Sequence, residues 1–268
     1  MDTRICGFDG NPDLYGIGVR VGLYLQWIAT LLTTLFEPKD EGLLRIVNLL
    51  IQSAIFIGMV LLTSHQEVQS IEPVLAIWLI FGALSSLSGN GMNPLGRFSG
   101  MYRVLLYTGV AAYACWFWFT GLDGLLAAKP PCEPIAFFGG ISISGPFRTF
   151  NKIASVFGAF ICLIFIILSI KAFVRRRHIR TPRARSKRAH VSIELLFASI
   201  SIICISIAAI EYLITANQIT GINTTLSVGQ LIPLLVGAFS FAETIVGLFR
   251  KKPFKKGVCW VLFCHHLS

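Results

Sequence analysis

Seven stretches of 17 to 24 residues in this chain are predominantly apolar, and they restrict its fold more than any other feature. They run from Leu14 to Phe36, Leu43 to Leu62, Pro73 to Gly89, Arg103 to Leu122, Ile153 to Val174, Ser192 to Ile214 and Leu226 to Phe249. A hydrocarbon core about 30 Å thick is crossed by about 20 residues of helix. Lipid offers no partner to backbone N–H and C=O groups, and a helix satisfies its own, so each stretch is expected to be helical. The implied fold is all-α: a polytopic membrane helical bundle of seven transmembrane helices, forming a single domain over residues 1–268.

The basic residues orient this bundle. Nine of the 23 Lys and Arg fall between Lys171 and Arg188, and five more run from Arg250 to Lys256. Positively charged loops stay on the cytoplasmic side. Alternation from a cytoplasmic loop at 175–190 puts the N-terminus outside and a short basic tail, 250–268, in the cytoplasm. Eighteen of the 23 basic residues then lie inside, leaving Arg4, Arg20, Lys129, Arg148 and Lys152. The sequon Asn223-Thr224-Thr225 falls in an outer loop, which makes Asn223 a candidate glycosylation site.

With 54% hydrophobic and 13% charged residues, the chain is too apolar for a soluble domain of its length. The net charge of +10 does not point to nucleic acid, because the run from Arg175 begins where the fifth helix ends. It reads as a topogenic loop in contact with anionic headgroups, so membrane lipids are the expected partners and nucleic acid is not. Residues 1–13 lack a basic leader region, so the first helix is expected to act as the insertion signal, into the endoplasmic reticulum or plasma membrane. Cys6 and Cys132 share the oxidising side and are a candidate disulfide. The adjacent His265 and His266 lack the spacing of a zinc site, and neither a metal nor another cofactor is expected. Gly18 and Gly22, four apart on a membrane helix, read as a close-packing face.

Polar groups at membrane depth carry the functional content, since they are costly there and usually face the bundle interior. Asp13, Arg20, Tyr24 and Trp27 share one helical face. Glu211 in the sixth helix, Gln230 in the seventh and Asp123 at the end of the fourth lie at matching depth. Together Asp13, Arg20, Asp123, Glu211 and Gln230 would ring the outer mouth of one cavity. For Glu211 two accounts stand level: a salt bridge to Arg20 that locks two helices, or a proton donor or ion ligand facing that cavity. Pro233 in the seventh helix favours local irregularity. Tyr113, Trp116, Phe117, Trp118 and Phe119 crowd one helix end, followed by Phe137, Phe138, Phe147 and Phe150. An interfacial belt explains the tryptophans. Aromatic faces also stabilise cations, so Trp116, Trp118 and Phe138 are candidate binding residues beside Arg20, Tyr24 and Gln230.

The segments from Gly10-Asn11-Pro12-Asp13 to Gly18-Val19-Arg20, Trp116-Phe117-Trp118-Phe119 with Gly121-Leu122-Asp123, Gly145-Pro146-Phe147-Arg148 and Gly229-Gln230-Leu231-Ile232-Pro233 resemble a large family of multi-pass membrane proteins of filamentous fungi. The resemblance runs from Cys6 to Phe249. In size, span number and intramembrane acids the chain is also similar to membrane-bound terpene cyclases of fungal meroterpenoid pathways, of the ascofuranone type. That second resemblance implies protonation and cyclisation of a prenylated substrate entering from lipid. Glu211, Asp123 or Asp13 would be the catalytic carboxyl, kept protonated by low-dielectric burial. The alternative is a small channel or transporter whose path is lined by Asp13, Arg20, Glu211 and Gln230, with Pro233 as its hinge. A receptor-like role is allowed by the seven spans but has no motif of its own.

Overall fold

The computed structural model describes residues 7–36, 41–84, 98–127, 134–178, 193–224 and 227–250. Nine helices dominate these residues: α1 (Pro12–Tyr15), α2 (Ile17–Phe36), α3 (Glu41–Ser64), α4 (Glu72–Gly82), α5 (Phe98–Trp116), α6 (Leu122–Ala127), α7 (Pro146–His178), α8 (Ile193–Ala216) and α9 (Val228–Arg250). A π-helical turn, Phe117–Gly121, joins α5 to α6 without a break. Four short strands accompany them: β1 (Phe8–Asp9), β2 (Ile135–Phe137), β3 (Ile141–Ser142) and β4 (Ile219–Thr220).

Six of the expected spans are long and apolar enough to cross a membrane. The third differs, because α4 has 11 residues and rises only about 16 Å within the described residues. It is also the most enclosed helix, with Leu75, Ala76 and Leu79 fully buried. By contrast α7 and α9 turn apolar side chains such as Phe157 and Phe239 outward, as lipid-facing helices do. The core lies between, where Leu23 and Trp27 of α2, Leu75 and Leu79 of α4, Phe117 of the π turn and Ile210 of α8 pack as one cluster.

Helix starts carry recognisable local chemistry. Asn11 caps α1 by accepting from the Asp13 and Leu14 N–H groups, and Pro12 fills the first helical position, where no N–H is needed. Gly16 then separates α1 from α2, so the expected continuous span from Leu14 is stepped. A side chain at Gly16 would collide with the Pro12 carbonyl and with Gln230.

The closest helix pair is α2 with α9. Gly18 and Gly22 meet α9 backbone at Gln230 and Pro233, and Gly237 meets the Gly22 carbonyl. No Cβ fits at Gly22 or Gly237, and this lets the first and last long helices touch backbone to backbone. The helix runs unbroken through Pro233, whose carbonyl lies against Gly22.

The described parts of the connections at one end of the bundle interlock into a cap. β1 pairs in parallel with β4, matching Phe8 to Ile219 and Asp9 to Thr220. The Asn11 N–H donates to Glu72 at the start of α4, at 3.3 Å. The β2–β3 hairpin is fixed by Asn217, whose amide exchanges two 2.8 Å hydrogen bonds with the Ile135 backbone. The chain therefore alternates direction, α2 leaving the cap, α3 returning, and so on to α9. The end remote from the cap is where α7 runs into the basic segment.

Candidate functional site

Two polar centres sit beneath the cap, and the residues expected to ring one cavity are divided between them. The first joins α2, α8 and the loop that follows β4. Arg20 is 3% exposed, and its Nη1 donates to Glu211 Oε2 at 2.5 Å while Nη2 donates to Asn223 Oδ1 at 2.9 Å. Tyr24, one turn along the same face of α2, donates its hydroxyl to the other Glu211 oxygen at 2.9 Å. The guanidinium is buried whereas the Glu211 side chain is 48% exposed, so the pair spans the boundary between core and surroundings.

Gln230 and Asp13 flank this centre. Gln230 is 1% exposed; its Oε1 accepts from the Gly18 N–H at 3.2 Å and its Nε2 donates to the Thr224 carbonyl at 2.7 Å. It thereby satisfies a donor at the start of α2 that has no partner within its own helix. Asp13 is exposed and accepts from the Ser227 hydroxyl at 2.5 Å, just before α9 begins. Both residues act as clasps between the chain's first and last helices.

The second centre surrounds Asp123 and is built by α6, the π turn and α7. Arg148 forms a two-pronged ion pair with Asp123, at 2.6 and 2.7 Å. Its Nε donates to the Trp118 carbonyl at 3.1 Å and its Nη2 to the Phe119 carbonyl at 3.3 Å. The guanidinium thus serves two carbonyls of the π turn, where the regular helical ladder is shifted. The Asp123 side chain is 61% exposed, outside the core.

Aromatic residues lead from the second centre to α8. Trp118, 3% exposed, meets Phe117 and Phe147 edge to face, with centroids 4.9 and 5.6 Å away. Phe147 stacks on Phe137, and Phe138 packs on Tyr212 at 4.8 Å. Trp78, Phe137, Phe138 and Tyr212 border a shallow apolar surface depression with no room for a buried ligand. Trp116, by contrast, is 47% exposed, as suits an interfacial ring.

The expected shared hollow is not formed by the described residues. Side chains such as Leu23, Trp27 and Ile210 fill the middle, Glu211 is held by Arg20, and Asp123 is held by Arg148 well away from it. Asn223 lies in the loop as expected, with its side-chain oxygen committed to Arg20. Cys6 and Cys132 fall outside the described residues.

One acid escapes sequence reasoning altogether. Glu72 is 4% exposed and accepts from the Tyr15 hydroxyl at 2.5 Å, the Gln69 N–H at 2.7 Å and the Asn11 N–H. Its place before Pro73 marks a helix start, which explains its occurrence without revealing its burial.

Residues 144–264, a little under half of the chain, match the family model described as serpentine type 7TM GPCR chemoreceptor Srv. No curated protein and no solved structure matches. The apolar helices and that match together make the chain a multi-pass integral membrane protein.

Proposed function

We propose that this protein is a receptor-like membrane protein, in which an event at the capped end is relayed through the packing of α2 against α8 and α9. The match of residues 144–264 to a chemoreceptor family carries the reading. The Arg20–Glu211 pair suits it physically: a half-exposed carboxylate holds a buried guanidinium, so a ligand competing for Glu211 would alter how α2 sits against α8. The experiment is a nucleotide-exchange assay on G-protein α subunits in membranes containing the protein. Glu211→Gln is expected to change basal exchange relative to the wild type. Equal exchange with and without the protein, for wild type and variant alike, would remove the reading.

A second reading, cyclisation of a prenylated substrate, is favoured by the aromatic path from Trp118 to Tyr212. Its weak point is the acid, because the Glu211 and Asp123 carboxylates are both committed to arginine partners. Expression in a host fed prenylated phenols, followed by metabolite profiling, tests it. A cyclised product lost on Glu211→Gln would put this reading first.

A further inference from the structure

We propose that the centre of the bundle binds a neutral hydroxyl group between Gln26 of α2 and Asn48 of α3. This site lies deeper than the polar centres beneath the cap, and it does not depend on the receptor-like reading.

Gln26 is the tenth residue of α2, about 14 Å along the helix from its start and so near the middle of a hydrocarbon core. Its side chain is fully buried, yet neither Oε1 nor Nε2 has a hydrogen-bond partner among the described residues. Exchanging the two amide atoms would not help, since both are unmatched. Asn48, 1% exposed, has the same deficit on one side. Its Nδ2 donates to Thr30 Oγ1 at 2.8 Å, and Thr30 spends its own proton on the Gln26 backbone carbonyl, also at 2.8 Å. Thr30 can therefore only accept from Asn48, which fixes the amide orientation and leaves Asn48 Oδ1 an acceptor with no donor.

Water cannot enter freely at this depth, and unmatched polar groups are costly in such a medium. The vacant hydrogen-bonding capacity is mixed: a donor at Gln26 Nε2 and acceptors at Gln26 Oε1 and Asn48 Oδ1, the Asn48 amide reaching α2 at Thr30, one helical turn beyond Gln26. A hydroxyl matches that set, because it accepts through its oxygen and donates through its proton. A carboxylate would meet two carbonyl oxygens and one donor, and a cation would leave the Nε2 donor unmatched. Two sources supply a hydroxyl here: a trapped water, or a lipid-soluble alcohol or phenol reaching the bundle from the bilayer.

The test compares full-length wild type with Gln26→Leu and Gln26→Met, purified into phosphatidylcholine nanodiscs. Thermal unfolding is read first, then labelling by a photoactivatable sterol with a free hydroxyl. If a hydroxyl is bound, both apolar variants melt lower than wild type, by on the order of 3 °C or more. With that loss, sterol labelling of peptides from α2 or α3 that vanishes in the variants identifies a lipid alcohol, and absence of labelling identifies water. If nothing is bound there, removing an unmatched amide relieves its desolvation cost, and variants as stable as wild type or more so would overturn the proposal.

Discussion

Arg20, a candidate binding residue by sequence, fastens α2 to α8 in the folded chain. A buried guanidinium with two acceptors is stabilised only while those acceptors remain, and removing a partner of such a charge costs more than breaking an exposed pair. Because Glu211 is half exposed, solvent screening discounts its share. Glu211→Gln is expected to lower stability by about 1 to 3 kcal/mol, and adding Arg20→Met is expected to restore part of that loss. A double-mutant cycle in detergent, read by thermal or denaturant unfolding, checks this; strict additivity would show the two side chains to be uncoupled. Glu72 is expected to be comparably sensitive, since it accepts three hydrogen bonds while buried. Glu72→Gln places a donor amide among three donors and is expected to cost about 2 kcal/mol, measurable in the same assay. The pairing of Arg20 with Glu211 was legible because both lie at matching depth in spans that must hide charge. The partner of Asp123 was not, because Arg148 comes from a loop-proximal turn whose position no periodicity marks.

At the scale of elements, apolar run length reveals spans and conceals their ends. α7 begins at Pro146, before the expected Ile153, since proline is well suited to the first turn of a helix. The π turn at Phe117–Gly121 and the two-residue strands of the cap leave no repeating pattern to read. Glycine spacing was informative, and its consequence is the backbone contact of α2 with α9. Gly22→Leu would force the Pro233 carbonyl away, so it is expected to destabilise the protein by about 1 to 3 kcal/mol or more and reduce folded yield. Gly124→Ala, at a position with open space around it, is expected to change neither. Fluorescence-detected size exclusion of both variants checks the pair of expectations, and an undisturbed Gly22→Leu would contradict the packing.

For the whole molecule, the cap is the organising structure. It gathers β1, the start of α4, the β2–β3 hairpin and β4 at one end, while the segment leaving α7 carries the greatest concentration of positive charge at the other. An alternating bundle with this charge asymmetry should expose its cap to the outside. Cysteine accessibility in intact cells tests this directly, with single cysteines at Gly140 in the hairpin and Ala184 in the basic loop of a chain whose native cysteines are replaced. The cysteine at 140 should react with a membrane-impermeant maleimide in intact cells, and that at 184 only after permeabilisation. Equal labelling of both sites in intact cells would contradict the alternating, cap-outside arrangement.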